Sequence, residues 1–170
     1  MQALIDFIVR NLLEFWPVAR VYSYQQGLRL RGGHVRDELT PGLHFRIPFL
    51  DEVKTWPSVE VGLKLDDGEL TTSDGFAVHL SANITYRLVS IHTMYSTVWS
   101  VETSLRLLAL GCIMTQCSQY TWPDLKSDRL KVEAKLLESL REAVASWGCT
   151  IERVNITELA LPRQYLLGAA

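Results

Sequence analysis

The segment of residues 32–48, GGHVRDELTPGLHFRIP, constrains the fold of this chain more than any other. Two glycines end one extended run. The Thr-Pro-Gly of residues 40–42 then predicts a type II turn, because proline presets φ at the second position and glycine accepts the positive φ of the third. Apolar and polar residues alternate from there to Pro48, which predicts a strand with one buried face. The side chains expected on that face are Leu43, Phe45 and Ile47.

Alternation of period two also predicts strands on both sides of this segment, over residues 18–31, 51–56, 59–65 and 76–89. Residues 20–89 are therefore expected to form a mainly antiparallel and strongly curved sheet. The longest strand places these apolar side chains on one face: Phe76, Val78, Leu80, Ala82, Ile84, Tyr86 and Leu88.

Short polar segments predict the turns between these strands. Gln25-Gln26-Gly27 is expected to form a bulge or tight turn, Asp66-Asp67-Gly68 a hairpin, and Asp74-Gly75 a second turn. The acidic residues in these turns offer oxygen ligands for calcium, but their spacing matches no calcium-binding loop, and their role as turn formers explains them.

Residues of about 90–162 are predicted to form a helical half that one strand completes. A connector helix over residues 91–98 precedes a helix capped at Ser100, and the strongest helical pattern runs from Ser127 to Trp147 and stops at Gly148. The strand of residues 150–162 is expected to return to the sheet. The predicted fold is thus α+β, with a β-rich subdomain of about 18–89 followed by an α/β subdomain. The stripe of the long helix predicted to pack on neighbouring copies is Leu136, Leu140, Val144 and Trp147.

The first seventeen residues predict an amphipathic helix that ends at Pro17. Its charges fall at Asp6, Arg10 and Glu14, which form one stripe at 100° per residue. Burying the large apolar side chains opposite that stripe is worth roughly 10 kcal/mol before ordering costs. The side chains predicted to contact a membrane are Leu4, Ile5, Ile8, Val9, Leu12, Phe15 and Trp16.

This pattern leaves two interpretations open. A charge at every fourth position excludes a membrane span, and acidic residues within the apolar run exclude a secretory signal. In one interpretation the helix lies in the lipid interface, with its apolar face toward the acyl chains. In the other, the same face packs against its own domain or a neighbouring subunit.

Composition and motifs give no support for other functional classes. A net charge of −2 does not favour nucleic-acid binding. The histidines are scattered and no hydrolase, P-loop or dinucleotide motif is present, so no enzyme, cofactor or metal is expected. Cys112, Cys117 and Cys149 have no metal-ligand spacing; buried thiols in a reducing compartment are expected, with palmitoylation or a redox role as alternatives.

The chain resembles the SPFH superfamily, also called Band 7, which includes stomatin, prohibitin, flotillin and HflK/C. The matching segments are Tyr24-Gln25-Gln26-Gly27, PGLHFRIPF at residues 41–49, Asp51-Glu52-Val53, LTTSDG at residues 70–75, and the long helix followed by residues 148–162. The resemblance covers residues 18–162. It implies a non-enzymatic membrane scaffold that assembles into homo-oligomeric or hetero-oligomeric rings or cages and regulates membrane proteases or channels, and it favours membrane contact for the first helix.

One further expectation follows from that resemblance. Family members usually continue into a long charged coiled coil, whereas this sequence has a short tail, residues 163–170, so rings or partnership with a longer relative are expected rather than large cages. Independently of the resemblance, the basic residues of the β-rich half, on the cytosolic face of a membrane, are expected to help it lie against anionic lipids; these are Arg29, Arg31, Arg36, Arg46 and Lys54. The rival hypothesis is a soluble shell protein with its first helix buried between subunits.

Overall fold

The computed structural model describes residues 17–65 and 68–161. The predicted N-terminal helix, the pair Asp66-Asp67 and the tail lie outside these residues. The strands are β1 (Val18–Val21), β2 (Gln25–Arg31), β3 (His34–Leu39), β4 (Gly42–Phe45), β5 (Asp51–Pro57), β6 (Val61–Lys64), β7 (Gly68–Thr71), β8 (Ala77–Leu88) and β9 (Cys149–Ala160). The helices are α1 (Ile91–Thr97), α2 (Val101–Cys117), α3 (Trp122–Ser127) and α4 (Arg129–Val144).

The strands form antiparallel pairs in separate sheets rather than one continuous sheet. β1 pairs with β4, β2 lies between β3 and β5, and β8 is the central strand of the largest sheet. The predicted return of the last strand is confirmed, because β9 pairs with β8 along its length. The α+β class is confirmed as well.

Two of the predicted turns are wrong. β6 and β7 both pair antiparallel with β8, so they run in the same direction and do not form a hairpin with each other. Gly27 lies inside β2 rather than in a turn. An added Cβ there would lie 2.9 Å from Val21 Cγ2 and 3.0 Å from Leu39 Cβ, so this glycine allows a close approach of neighbouring strands. The turn at Asp74-Gly75 is confirmed, with a φ of 86° at Gly75.

The core lies between the β8–β9 sheet and the helices. The predicted apolar face of β8 is confirmed from Val78 to Leu88, whereas Phe76 is half exposed. α4 packs its fully buried stripe against this sheet. Two side chains of α4 also bond to the backbone of β9: Arg141 Nε donates to Ile151 O at 2.7 Å, and Glu133 Oε1 accepts from Ile156 N at 2.8 Å.

Gly148 ends the helical segment that contains α4, as predicted, and its carbonyl bonds to the backbone just before α1. Its φ is 72°, and its carbonyl accepts hydrogen bonds from the backbone N–H groups of Val89 and Ser90, both at 2.9 Å. A Cβ at this position would lie 2.5 Å from Ser90 O and 2.8 Å from Met94 N. Both the backbone conformation and the space therefore require glycine.

Candidate membrane-contact surface

An apolar surface is exposed on β4 and on the segment that follows it. The exposed fractions are 70% for Leu43, 66% for Phe45, 83% for Phe49 and 55% for Leu50. We call these four residues, together with Ile47, the apolar surface. The prediction that Leu43, Phe45 and Ile47 face the core is therefore wrong: they share a face, as the alternation requires, but among the described residues that face is not covered. The reason is that β4 pairs only with β1, in a two-stranded sheet that does not belong to the core cluster.

The two-stranded sheet places the apolar surface beside the start of the described chain. Val18 pairs with Phe45 and Val21 with Gly42. The backbone N–H of Arg46 donates to Pro17 O at 2.8 Å. Residues 1–16, which the sequence predicts to be amphipathic, are therefore connected directly to the edge of this surface.

A buried carboxylate fixes the loop of residues 46–50. The Asp51 side chain has no exposed area and accepts two hydrogen bonds from Arg31, at 2.6 Å from Nε and 3.0 Å from Nη2. Its Oδ2 also accepts from Ile47 N at 2.9 Å. These bonds hold the pKa of Asp51 well below its usual range. The backbone N–H of Asp51 also donates to Ile47 O at 2.9 Å. The side chain and the backbone of Asp51 therefore both bond to Ile47 and close the loop.

The backbone of Phe49 adopts an unfavourable conformation. Its φ is 68°, in the left-handed region, where a bulky side chain costs about 1–2 kcal/mol. The hydrogen bonds around Asp51, and the one from Gly32 N to Leu50 O at 3.4 Å, hold the loop in this shape. Phe49 is 83% exposed, so the loop holds this unfavourable backbone at a side chain on the surface.

The arginines near the apolar surface are partly neutralised. Arg29 forms an ion pair with Asp37 and also donates to Phe45 O at 3.1 Å. Arg31 is paired with Asp51, and Lys54 Nζ lies 3.6 Å from Glu52 Oε1. Arg36 Nε lies 4.0 Å from Asp37 Oδ2, so four of the five basic residues that the sequence assigns to anionic lipids have a carboxylate partner. The surface is therefore better suited to apolar than to electrostatic contact.

The predicted site residues have different outcomes. Those predicted to contact a membrane, residues 4–16, lie outside the described residues and stay a prediction. Leu136, Leu140 and Val144 have no exposed area and belong to the core of the chain itself, and Trp147 is partly buried against that core. These side chains are therefore not an available surface for neighbouring copies. Their helical spacing is the same for a core stripe as for an interface, so the sequence could not distinguish the two.

The described part of the chain offers little else. Within residues 17–65 and 68–161, no three metal-ligating side chains lie close enough to hold a metal ion. None of the helices described is by itself long and apolar enough to cross a membrane, and α1 and α2 reach that length only as a pair bent by 73°. Burial raises the pKa of all three cysteine thiols, most at Cys117, which makes them less reactive.

Comparisons with known proteins indicate the family to which the chain is similar. The family described as SPFH domain / Band 7 matches residues 19–166. Stomatin-1 of Caenorhabditis elegans is 27% identical over 165 residues, which cover 96% of this chain and 50% of that protein. An uncharacterized protein of Methanocaldococcus jannaschii is 30% identical over 84% of this chain and 71% of its own length. Stomatin of Mus musculus is 24% identical over 85% of this chain and 50% of its own. The chain thus spans about half the length of these two stomatins.

Proposed function

Because this chain belongs to the SPFH domain / Band 7 family, we propose that it is a membrane-associated scaffold without catalytic activity. Copies of the chain, alone or with a longer relative, form rings that organise a patch of membrane and the proteases or channels within it. The membrane is contacted from its cytosolic side, which the three free thiols support.

The observation that carries this proposal is the apolar surface beside Pro17. Large apolar side chains that protrude from a rigid loop are costly in water, and contiguous groups of them are typical of protein or membrane contacts. Burying four such side chains would contribute about 5 kcal/mol before ordering costs, if each regains about half of its transfer free energy. The predicted helix of residues 4–16 adds its own apolar face from the same edge. Two modest contacts on one chain reinforce each other, because the second binds at a high effective concentration.

Vesicle flotation of the intact chain tests the proposal. The informative variant is Leu43→Glu, because Leu43 lies on the apolar surface and is 70% exposed. Its matched control is Leu107→Glu on α2, where the same side chain is 69% exposed. We expect Leu43→Glu to weaken vesicle binding more than tenfold, because it removes an apolar side chain and adds a charge, and Leu107→Glu to leave binding unchanged. Equal flotation of all three proteins, with all three folded, would contradict membrane contact through this surface.

Vesicle composition separates apolar from electrostatic binding. Since the nearby arginines are largely paired with carboxylates, neutral and anionic vesicles should bind the chain similarly. Binding that appears only with anionic lipid and disappears in salt would assign the contact to charge instead.

Self-assembly is the second part of the proposal, and mass photometry tests it. Because Leu136, Leu140 and Val144 of α4 are buried in the chain's own core, exposed side chains of the helical half are the better candidates, such as Leu130, which is 81% exposed. A single species at the monomer mass, both free and on membranes, would contradict assembly.

A further inference from the structure

A cavity of about 430 Å³ opens between the three-stranded sheet and the helical half. It lies at the junction of the two halves of the chain, and none of its lining residues belongs to the apolar surface. Its volume falls within the range of roughly 300–1,000 Å³ that is usual for small-molecule sites. The lining residues that matter for its chemistry are Lys54 and Trp56 of β5, Tyr86 of β8, Tyr95 of α1, and Trp99 and Glu102 around the start of α2.

The cavity is unusually rich in aromatic rings. Four of its twelve lining residues are aromatic, against 9% of the whole chain. Trp56 and Tyr95 meet edge to face with their ring centroids 6.0 Å apart. Trp99 is fully exposed at the rim, although a tryptophan is costly to leave in water. A wall of this composition attracts cations through the negative faces of the rings.

The cavity also carries one charge of each sign. Lys54 Nζ lies 5.2 Å from the centroid of the Tyr95 ring, 3.5 Å from its hydroxyl and 3.6 Å from Oε1 of Glu52, which does not line the cavity. Glu102, an exposed residue in the first turn of α2, also lines the cavity. Burial, together with the charge of Glu102, raises the pKa of Tyr86, another lining residue, to about 12.

We propose that this cavity binds a quaternary ammonium group linked to an acidic group, which is the chemistry of phosphocholine. The aromatic rings and Glu102 receive the ammonium, and Lys54 meets the phosphate. A purely cationic ligand would be repelled by Lys54 and a purely anionic one by Glu102, so a zwitterion complements both charges. The site does not depend on the proposed membrane scaffold, because a soluble molecule or a lipid headgroup can present the same group.

Titration of the intact chain with soluble phosphocholine tests the site. Trp56 and Trp99 line the cavity, so binding is expected to change tryptophan fluorescence in a saturable way. Choline chloride should bind more weakly, and its neutral isostere 3,3-dimethylbutan-1-ol should not bind. Sodium chloride at matched concentration controls for ionic strength. No saturable change with phosphocholine, or an equal change with the alcohol, would overturn the proposal.

Two substitutions locate the ligand. Glu102→Gln keeps both tryptophans and should weaken phosphocholine binding at least tenfold, whereas Glu142→Gln, an exposed acid on α4, should not change it. Lys54→Gln should weaken phosphocholine more than choline. Unchanged binding in Glu102→Gln would place any fluorescence change elsewhere and reject this site.

Vesicle flotation then shows whether the phosphocholine group belongs to a lipid or to a soluble molecule. If the ligand is a lipid headgroup, Glu102→Gln should reduce flotation with phosphatidylcholine and not with phosphatidylglycerol. If the ligand is a soluble molecule, flotation should be unaffected while the phosphocholine titration is lost. Both results retain the site, and neither depends on Leu43, so failure of the site and failure of the membrane scaffold remain distinguishable.

Discussion

β4 and β8 have the same alternation of apolar and polar residues and opposite surroundings. In β8, Val78, Ala82 and Ile84 have no exposed area. In β4, Leu43 and Phe45 are 70% and 66% exposed. β8 has strands on both edges and helices over its apolar face, whereas β4 has one neighbour and nothing described over its face.

The difference teaches what a period of two can and cannot establish. Alternation determines which side chains share a face, because successive residues of a strand point to opposite sides. It does not determine what covers that face, because a bilayer, another subunit and the chain's own core all favour the same residues. The two strands should therefore respond differently to the same kind of substitution.

The largest expected effect is at the centre of β8. Ile84→Ala removes a fully buried side chain from the core cluster and should lower the free energy of unfolding by about 3 kcal/mol, through lost transfer free energy and a residual cavity. Urea denaturation with an unchanged m-value measures it. A loss below about 1 kcal/mol would mean that β8 is less central than its burial indicates.

Two glycines with positive φ, one beside the core and one in an open turn, are expected to give the next largest loss of stability. Gly148→Ala should cost at least about 2 kcal/mol, since it combines a φ of 72° with a Cβ only 2.5 Å from Ser90 O. Gly33→Ala, in the β2–β3 turn, has a φ of 82° but no atom within 4 Å of the added Cβ, so only strain of roughly 1 kcal/mol is expected. Equal losses in thermal or urea unfolding would show that the contact with Ser90 relaxes freely.

The sequence was most informative where local geometry decides the outcome. The face of β8, the positive φ of Gly148 and the turn at Gly75 were all predictable, because each follows from the conformational preferences of single residues or from the strand period. The apolar stripe of α4 was predictable as a stripe, but its partner was not: Leu136 and Leu140 pack inside the chain, where the sequence had suggested neighbouring copies.

The remaining differences come from long-range pairing. The sequence Asp66-Asp67-Gly68 is compatible with a hairpin turn, yet β6 and β7 do not pair with each other. Both pair antiparallel with successive parts of β8. The Arg31–Asp51 pair joins residues that are twenty positions apart in the sequence, and only the pairing of β2 with β5 brings them together. The apolar surface that this pair supports could not be found from alternation, which had assigned the same residues to the core.

Asp51→Asn should loosen the loop under the apolar surface in a pH-dependent way. The folded-state pKa of Asp51 is depressed, so its stabilising contribution is present above its unfolded pKa near 4 and is lost as the pH falls toward the folded value. The wild type should thus be more stable than the variant at pH 7, and the difference should shrink toward pH 3. Asp37→Asn is the control, because the Asp37 side chain is 45% exposed and its ion pair is screened by water. A difference between wild type and Asp51→Asn that stays constant with pH would contradict this role.

Substitution of Leu43 is expected to have the smallest effect on stability and the largest effect on membrane binding. Leu43→Ala should change the free energy of unfolding by less than about 0.5 kcal/mol, since the side chain it shortens is already exposed. Leu107→Ala, at equal exposure, should do the same. Only Leu43→Ala should weaken vesicle binding, by about tenfold, because roughly 1.4 kcal/mol of burial in the bilayer is lost. If Leu43→Ala instead destabilised the fold by several kcal/mol, the face of β4 would be covered by the chain itself, and β4 and β8 would no longer differ in kind.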